Sequence, residues 1–191
     1  MGIFSFIKNL FSKGQTIADI PMDIQTILQY KFSGAKYSVG EDYESLIWYD
    51  DNTVSKPSKQ DLQNLWYDVL LTIAKNEKKE EIKNLRAASL GGDLLAKVEN
   101  GNSYYVTTRP EINIFQSAVL IPDDITRRWG GYLNGVKVPI VLTKQELKNL
   151  SNHYEERKNL AYNLCDARRA AVDALSTIEE VEAFDINEVI I

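Results

Sequence analysis

The residues best suited to chemistry in this chain are one histidine, His153, and one cysteine, Cys165. A catalytic histidine needs a nucleophile or an acid within hydrogen-bond reach, and nothing in the sequence marks such a partner for His153. We interpret it as a histidine on a helix surface. Cys165 follows Leu164 in an apolar stretch, which is typical of a packed small side chain rather than an activated thiolate. The sequence therefore predicts no catalytic residue, and we expect a protein that is not an enzyme.

The paired glycines and paired charges do not form a recognisable ligand site either. The Gly-Gly pairs at residues 91–92 and 130–131 lack the lysine and hydroxyl of a phosphate loop and the spacing of a dinucleotide fingerprint. The Asp-Asp pairs at 50–51 and 123–124 lack the alternating oxygen ligands and the closing glutamate of a calcium loop. The basic pair at 127–128 is weak support for phosphate binding in an acidic protein. We therefore predict no cofactor and no metal ion.

The composition is that of an average soluble globular protein. The 191 residues include 22 basic and 27 acidic side chains, for a net charge of −5, and 44% of them are hydrophobic. This length is enough for one domain of ordinary size or two small ones. The acidic balance argues against a nucleic-acid-binding module, which normally has a basic face. A single cysteine excludes an internal disulfide.

The first 14 residues have the pattern of an amphipathic anchor helix. Large apolar side chains recur there at helical spacing, and Gly14 ends the pattern. The residues that we assign to its partner-binding face are Ile3, Phe4, Ile7, Leu10 and Phe11. Such a helix docks into a partner's groove, folds back onto its own lobe, or lies on a membrane surface. Only two lysines lie in the segment, which disfavours membrane contact, and we favour partner docking.

Residues 20–77 are predicted to form an N-terminal α+β lobe. A short helix is expected from Ile20 to Phe32, with Asp19 as its cap. Two strands, at 36–39 and 44–49, are expected around a Gly-Glu-Asp turn, and a polar loop follows at 50–57. Ser58 and Asp61 then form a start signal for a long helix whose second half is highly charged. We interpret that charged half as a solvated helix joining two lobes, and we place the boundary near Glu77.

Residues 78–191 are predicted to form a second lobe of two antiparallel hairpins, short helices and a long C-terminal helix. Asn-Gly turns at 100–101 and 134–135 mark the hairpins. A helix is expected between them, from Pro110 to about Leu120. Pro139 makes the last strand an edge strand or marks its end. The predicted fold class is thus α+β, with two small lobes in which antiparallel hairpins pack against helices.

The long helix, from about Lys144 to Leu175, carries apolar residues on alternating three- and four-residue steps, the spacing of a coiled-coil seam. The seam residues that we assign to partner binding are Leu147, Leu150, Tyr154, Arg157, Ala161, Leu164 and Arg168. Two interpretations stay open: the helix packs on its own hairpins, or it associates with copies of itself. In the second case both arginines need acidic partners from a neighbouring chain, because an unpaired buried charge is costly.

The second half of the chain resembles a small domain found in tail-fibre and tail-associated proteins of tailed bacteriophages. The matching segments are residues 105–114, 129–131, 138–143, 161–174 and 178–184. The residues at that family's motif positions are Thr107, Asn113, Ile114, Gln116, Leu142, Thr143 and the segments 170–174 and 179–181. The resemblance spans roughly residues 78–185. It departs at Arg109-Pro110, where the family has an acidic residue.

Residues 24–70 also resemble leader regions of phage tail proteins, through the segments 31–35, 44–50 and 56–62. Together the two resemblances imply a non-enzymatic structural protein of a tailed-phage virion, a tail or tail-fibre adaptor. The alternative is a tail-fibre assembly chaperone that leaves the particle. They further imply binding to other tail or virion proteins and a homo-oligomer, with a trimer favoured. The expected location is the virion tail, after assembly in the host cytoplasm.

Overall fold

The computed structural model describes residues 20–91, 94–97, 103–106, 122, 126–133 and 136–187. It combines helices with antiparallel strands, which confirms the predicted α+β class. The chain divides into two compact units. Unit 1 contains the described residues up to Glu80 together with Ala171–Asp185. Unit 2 contains the described residues from Glu81 to Ala170, followed by 186–187.

The first helix of unit 1, α1, spans Ile24–Lys31. It begins four residues later than predicted, because Asp23 provides the cap: its carboxylate accepts a hydrogen bond from the Thr26 backbone N–H at 3.2 Å. The expected cap, Asp19, lies outside the described residues. The buried side of α1 is apolar and consists of Ile24, Ile27 and Leu28.

The predicted strand pair is present but shorter than expected. Strands β1 (Tyr37–Ser38) and β2 (Ile47–Trp48) pair antiparallel, with Tyr37 opposite Trp48. Residues Tyr43–Ser45, which include the predicted start of the second strand, form a 3-10 turn. The turn forms because the Asp42 side chain accepts a hydrogen bond from the Ser45 N–H at 2.9 Å.

Helix α2 spans Lys59–Leu90, and the predicted start signal is confirmed. The Ser58 N–H donates to the Asp61 carboxylate at 2.8 Å, and the Asp61 N–H donates back to the Ser58 hydroxyl at 3.1 Å. The first half of α2 packs its apolar side on α1 and the β1–β2 region. The buried residues of this cluster are Ile24, Ile27, Leu28, Leu46, Leu62, Val69 and Ile73.

The charged second half of α2 is not the fully solvated segment that the sequence predicted. Lys78 is only 5% exposed, and Ile82 is buried as well. The reason is tertiary in both cases. Within unit 1 the residues after Ala171 pack along α2 at Leu70, Ala74 and Lys78, and within unit 2 Ile82 lies beside Leu164 and Cys165 of the helix that spans Lys144–Ala174. Local composition does not report such a contact.

Unit 2 contains an antiparallel sheet in the order β3-β4-β5-β6. Its strands span Leu94–Lys97, Ser103–Val106, Arg127–Leu133 and Val136–Leu142. The strand pairs that the sequence predicts, 94–99 with 102–107 and 132–133 with 136–141, are both confirmed, although β5 begins at Arg127, five residues before the predicted start. Strand β6 lies at an edge, with Pro139 opposite Gly130. The Asn-Gly turns and the helix predicted for 110–120 lie outside the described residues.

Helix α3 spans Lys144–Ala174 and α4 spans Ile178–Ala183. Each begins with a capping box. The Thr143 N–H donates to the Glu146 carboxylate at 2.7 Å, and the Glu180 N–H donates to the Thr177 hydroxyl at 3.2 Å.

The division into units differs from the predicted 20–77 and 78–191 domains at the C-terminal end. It falls inside α2, between Glu80 and Glu81, and inside α3, between Ala170 and Ala171. We call Ala171–Asp185 the C-terminal arm. The arm groups with unit 1 because Ile178 and Val181 are buried there in one cluster with Leu70.

Candidate functional site

The seam residues of α3 face other parts of the same chain. Leu147 and Leu150 are fully buried, whereas Tyr154, Ala161 and Leu164 are half-buried. Burial to this degree within one chain leaves the two leucines no surface to offer a partner. The structure therefore assigns them to the interior of unit 2.

The two seam arginines lie among residues of α2. Arg157 donates a hydrogen bond to the Leu90 carbonyl at 3.3 Å, so this arginine obtains a partner without a neighbouring chain. Arg168 lines a cavity of about 80 Å³ between the two helices of unit 2. The cavity is lined by Ile82, Leu85, Arg86, Ser89, Ala161, Leu164, Cys165 and Arg168. The part of the seam from Arg157 to Arg168 thus packs on α2, whereas the sequence had suggested hairpins, a second copy or a partner's helix.

The five N-terminal residues assigned to partner binding, Ile3, Phe4, Ile7, Leu10 and Phe11, lie outside the described residues. The described chain begins at Ile20, which is buried against Leu70 and Ala74 in unit 1. Its carbonyl accepts a hydrogen bond from the Trp66 indole N–H at 3.3 Å.

A surface that the sequence did not single out lies where the loop after β2 meets the turn after α1. The Asn52 side chain binds the backbone of Lys36 on both sides. Its carbonyl accepts from the Lys36 N–H at 2.6 Å, and its amide donates to the Lys36 carbonyl at 2.7 Å. The Trp48 indole N–H donates to the Val54 carbonyl at 3.0 Å. The loop is therefore held at two points.

Two adjoining cavities flank this turn, and they share Ser33 and Ala35. One, of about 320 Å³, reaches Phe32 and Val54; the other, of about 630 Å³, reaches Tyr37 and Tyr49. Both are open to solvent and are shallow depressions of the surface rather than enclosed pockets. Tyr49 is 48% exposed and Val54 is 49% exposed.

The sequence of residues 50–57 indicated only a polar loop at this position. Asn52 is the residue that could have signalled more, since asparagine side chains often bind nearby backbone groups. Its partner, the Lys36 backbone, is 16 positions earlier in the chain. A contact over that distance in sequence is not indicated by the loop's own composition.

The second surface is the contact between α2 and the C-terminal arm. The Lys75 ammonium donates to the Asp173 carbonyl at 2.9 Å, and the Lys79 ammonium binds the Asp173 carboxylate at 2.8 Å. Lys78 donates to the Phe184 carbonyl at 3.5 Å. These carbonyls lie at the C-terminal ends of α3 and α4, where the helix dipole favours a positive charge.

Apolar packing accompanies these charges. Ile178 and Val181, on one side of α4, are completely buried with Leu70 and Ala74 of α2. On its exposed side, Glu180 accepts hydrogen bonds from the backbone N–H groups of Ser176 and Thr177, which hold the pKa of its carboxyl below the ordinary value of 4.5. The arm is thus an acidic amphipathic segment seated on a basic and apolar side of α2.

The residues with potential for chemistry lie apart from both surfaces. The His153 imidazole is exposed on α3 and lies 3.6 Å from the Glu156 carboxylate. The Cys165 thiol is buried against α2 in the small cavity of unit 2. In the part of the chain that the structure describes, no three His, Cys, Asp or Glu side chains converge as a metal site.

No protein-family model matches the chain, and no curated protein or solved structure shows significant similarity to it. None of the helices within the described ranges is both long enough and apolar enough to cross a membrane.

Proposed function

We propose that this protein is a non-enzymatic structural component of a tailed-phage virion, acting as a tail or tail-fibre adaptor. The observation that carries the proposal is the order of elements in the second half of the chain. The β5–β6 hairpin ends at Leu142-Thr143, a capped helix of 31 residues follows, and a short capped helix comes after it. The phage tail-fibre domain that these residues resemble has the same order of elements.

The surface around the two cavities of unit 1 supports a role in binding other proteins. Val54 lines one of these cavities and Tyr49 the other, and both are about half exposed; aromatic residues are enriched at the centres of protein interfaces. The loop that carries Tyr49 and Val54 is fixed by Asn52 and Trp48 before any partner binds. Such preorganisation lowers the entropy cost of association.

Mass spectrometry of purified particles tests the proposal directly. The adaptor is expected in mature virions at a constant copy number after salt and detergent washes. Presence in infected-cell lysate and assembly intermediates, with absence from mature virions, contradicts the adaptor and favours the assembly chaperone. A fixed copy number also reports the symmetry of attachment, for which a trimer is the favoured prediction.

Within this proposal the anchoring segment is the amphipathic N-terminal stretch. Each fully buried large apolar side chain contributes about 1.5–3 kcal/mol, so Phe4, Ile7 and Phe11 alone would hold a short helix in a preformed groove. A chain lacking residues 1–13 is expected to keep its melting temperature and to be missing from particles. The matched control replaces only Lys8 and Lys13 by alanine, which should leave incorporation unchanged. A truncated chain that loses several degrees of melting temperature, or that is incorporated normally, contradicts the anchor.

A further inference from the structure

We propose that the exposed face of the β5–β6 hairpin is a docking surface for an extended acidic segment of another protein, with one carboxylate of that segment seated above Gly130. The cations that hold this carboxylate are Arg128 and Lys137. The surface belongs to unit 2 and is not the unit 1 surface that supports the adaptor function, so the docking does not depend on that function.

Backbone pairing places the residues of this face. It consists of every second residue of each strand, in the opposite pairs Arg128 with Val141, Gly130 with Pro139, and Tyr132 with Lys137. Opposite residues of an antiparallel pair lie on the same side of the sheet, and side chains alternate along each strand. The alternate residues Ile140 and Leu142 are buried, whereas all six residues of the face are exposed except the half-buried Tyr132. The hairpin therefore buries one face and presents the other to solvent.

The Lys137 side chain reaches from β6 toward β5. A methyl group on Gly130 would lie 3.3 Å from the Lys137 Cε, so the lysine stem lies beside the glycine and carries its ammonium toward β5. Arg128 is two residues before Gly130 on the same face, about 7 Å away along the strand. Because Gly130 has no side chain and is exposed, the space above it lies between two cations and is open to a group from outside.

Arg128 and Lys137 have no carboxylate partner in the part of the chain that the structure describes. Exposed lysines elsewhere do have one; the Lys59 ammonium, for example, lies 3.3 Å from the Glu44 carboxylate. The four strands of the sheet contain four basic residues and no acidic one, although the whole chain has a net charge of −5. Like charges on one surface repel each other, and an anion between them removes that cost. This face is therefore complementary to an anion.

The flanking residues favour a protein segment as the source of that anion. Tyr132 lies on one side of Gly130, and Val141, which is 52% exposed, lies on the other. Each is two residues away along the strands, about 7 Å, which equals two residues of an extended chain. A matching segment thus has an acidic residue with an apolar residue two positions before it and another two positions after it. A nucleic acid would also meet the net negative charge of the whole chain, which disfavours a long polyanion.

Titration of the isotope-labelled full chain with synthetic peptides, followed by NMR, tests the docking. The probe contains Leu-Thr-Glu-Thr-Leu between serines, and the matched peptide has glutamine in place of the glutamate. We expect saturable shifts of the Gly130 and Tyr132 amide signals with the glutamate peptide, at a dissociation constant of about 1 mM. The glutamine peptide should bind about two- to fivefold more weakly, which is the usual effect of an exposed ion pair.

Variants of the chain then identify the cations. In a chain with both Arg128→Ala and Lys137→Ala, the two peptides should bind equally, because no cation remains for the glutamate. The matched control removes two exposed cations elsewhere, Lys59→Ala and Arg169→Ala, and should keep the difference between the peptides. Gly130→Asp supplies a carboxylate at the proposed seat and should abolish the difference.

Three results overturn the proposal. The first is the absence of saturable shifts at Gly130 and Tyr132 with the glutamate peptide. The second is equal binding of the two peptides to the unmodified chain. The third is tighter binding of a single-stranded thymidine oligonucleotide or of inorganic phosphate than of the glutamate peptide, which assigns the face to phosphate groups. All three use the unmodified chain, so the test stays decisive if a variant does not fold.

Discussion

The docking of the arm on unit 1 makes Ile178→Ala the most informative stability variant. Ile178 has no exposed surface, and the substitution removes three carbon atoms from the side chain. At about 0.8 kcal/mol for each buried methylene, the lost transfer free energy is about 2.4 kcal/mol. The cavity left in the cluster with Leu70 and Ala74 adds to this, so the free energy of unfolding should fall by about 2–5 kcal/mol.

Urea unfolding followed by tryptophan fluorescence is the appropriate measurement, because Trp66 packs against the same cluster. The transition reported by Trp66, identified with a Trp66→Phe chain, should move to lower urea concentration. The matched control is Glu179→Ala, on the exposed side of α4, which should change the free energy of unfolding by less than about 0.5 kcal/mol. If the Ile178 and Glu179 variants unfold at the same urea concentration, the arm is not part of the unit 1 core.

Three further outcomes are expected. The Ser176 N–H lowers the pKa of the Glu180 carboxyl, so the stabilising effect of this carboxylate is present above the ordinary value of 4.5 and is lost as the pH falls through the folded-state pKa. Glu180→Gln should therefore make the free energy of unfolding depend less on pH in the acidic range. Thr143→Ala should lower the free energy of unfolding by about 0.5–2 kcal/mol in urea, while Thr143→Ser retains most of it. Asn52→Ala removes two hydrogen bonds to the Lys36 backbone and should lower the free energy of unfolding in urea by about 1 kcal/mol. The Lys36 amide should then exchange its hydrogen faster, and an unchanged exchange rate would contradict the bidentate contact.

The local features were predictable where a short stretch of sequence determines them. The capping boxes that begin at Ser58 and Thr143 use side chains three residues apart, so the sequence pattern by itself specifies which hydrogen bonds form. The hairpin strands were predictable in the same way, from their turn residues and from the alternation of apolar and polar residues along each strand. The start of α1 was misplaced because Asp19 and Asp23 are both acceptable caps, and only the structure shows that Asp23 binds the Thr26 N–H.

The surfaces that meet across the chain were not predictable from one sequence. Periodicity indicates that one face of α3 is covered, but the same pattern suits a hairpin, a second copy or α2. Lys78 was assigned to a solvated segment because its neighbours are charged; its burial depends on the Phe184 carbonyl, 106 positions later. The cavity that Ser33 lines together with Asn52 likewise depends on a contact between distant residues, that of Asn52 with the Lys36 backbone 16 positions earlier.

Pro139 limits how the sheet of unit 2 can grow. The two-residue connection that places Leu133 opposite Val136 makes that pair hydrogen-bonded, so pairs alternate and Pro139 with Gly130 is a non-hydrogen-bonded pair. A residue in such a pair directs its backbone groups away from its neighbour, toward the open edge of β6. Since proline has no N–H, the edge lacks a donor midway along its length. A strand that adds there in register leaves one of its carbonyls without a donor, which disfavours edge-to-edge aggregation at β6 when many copies are concentrated in one place.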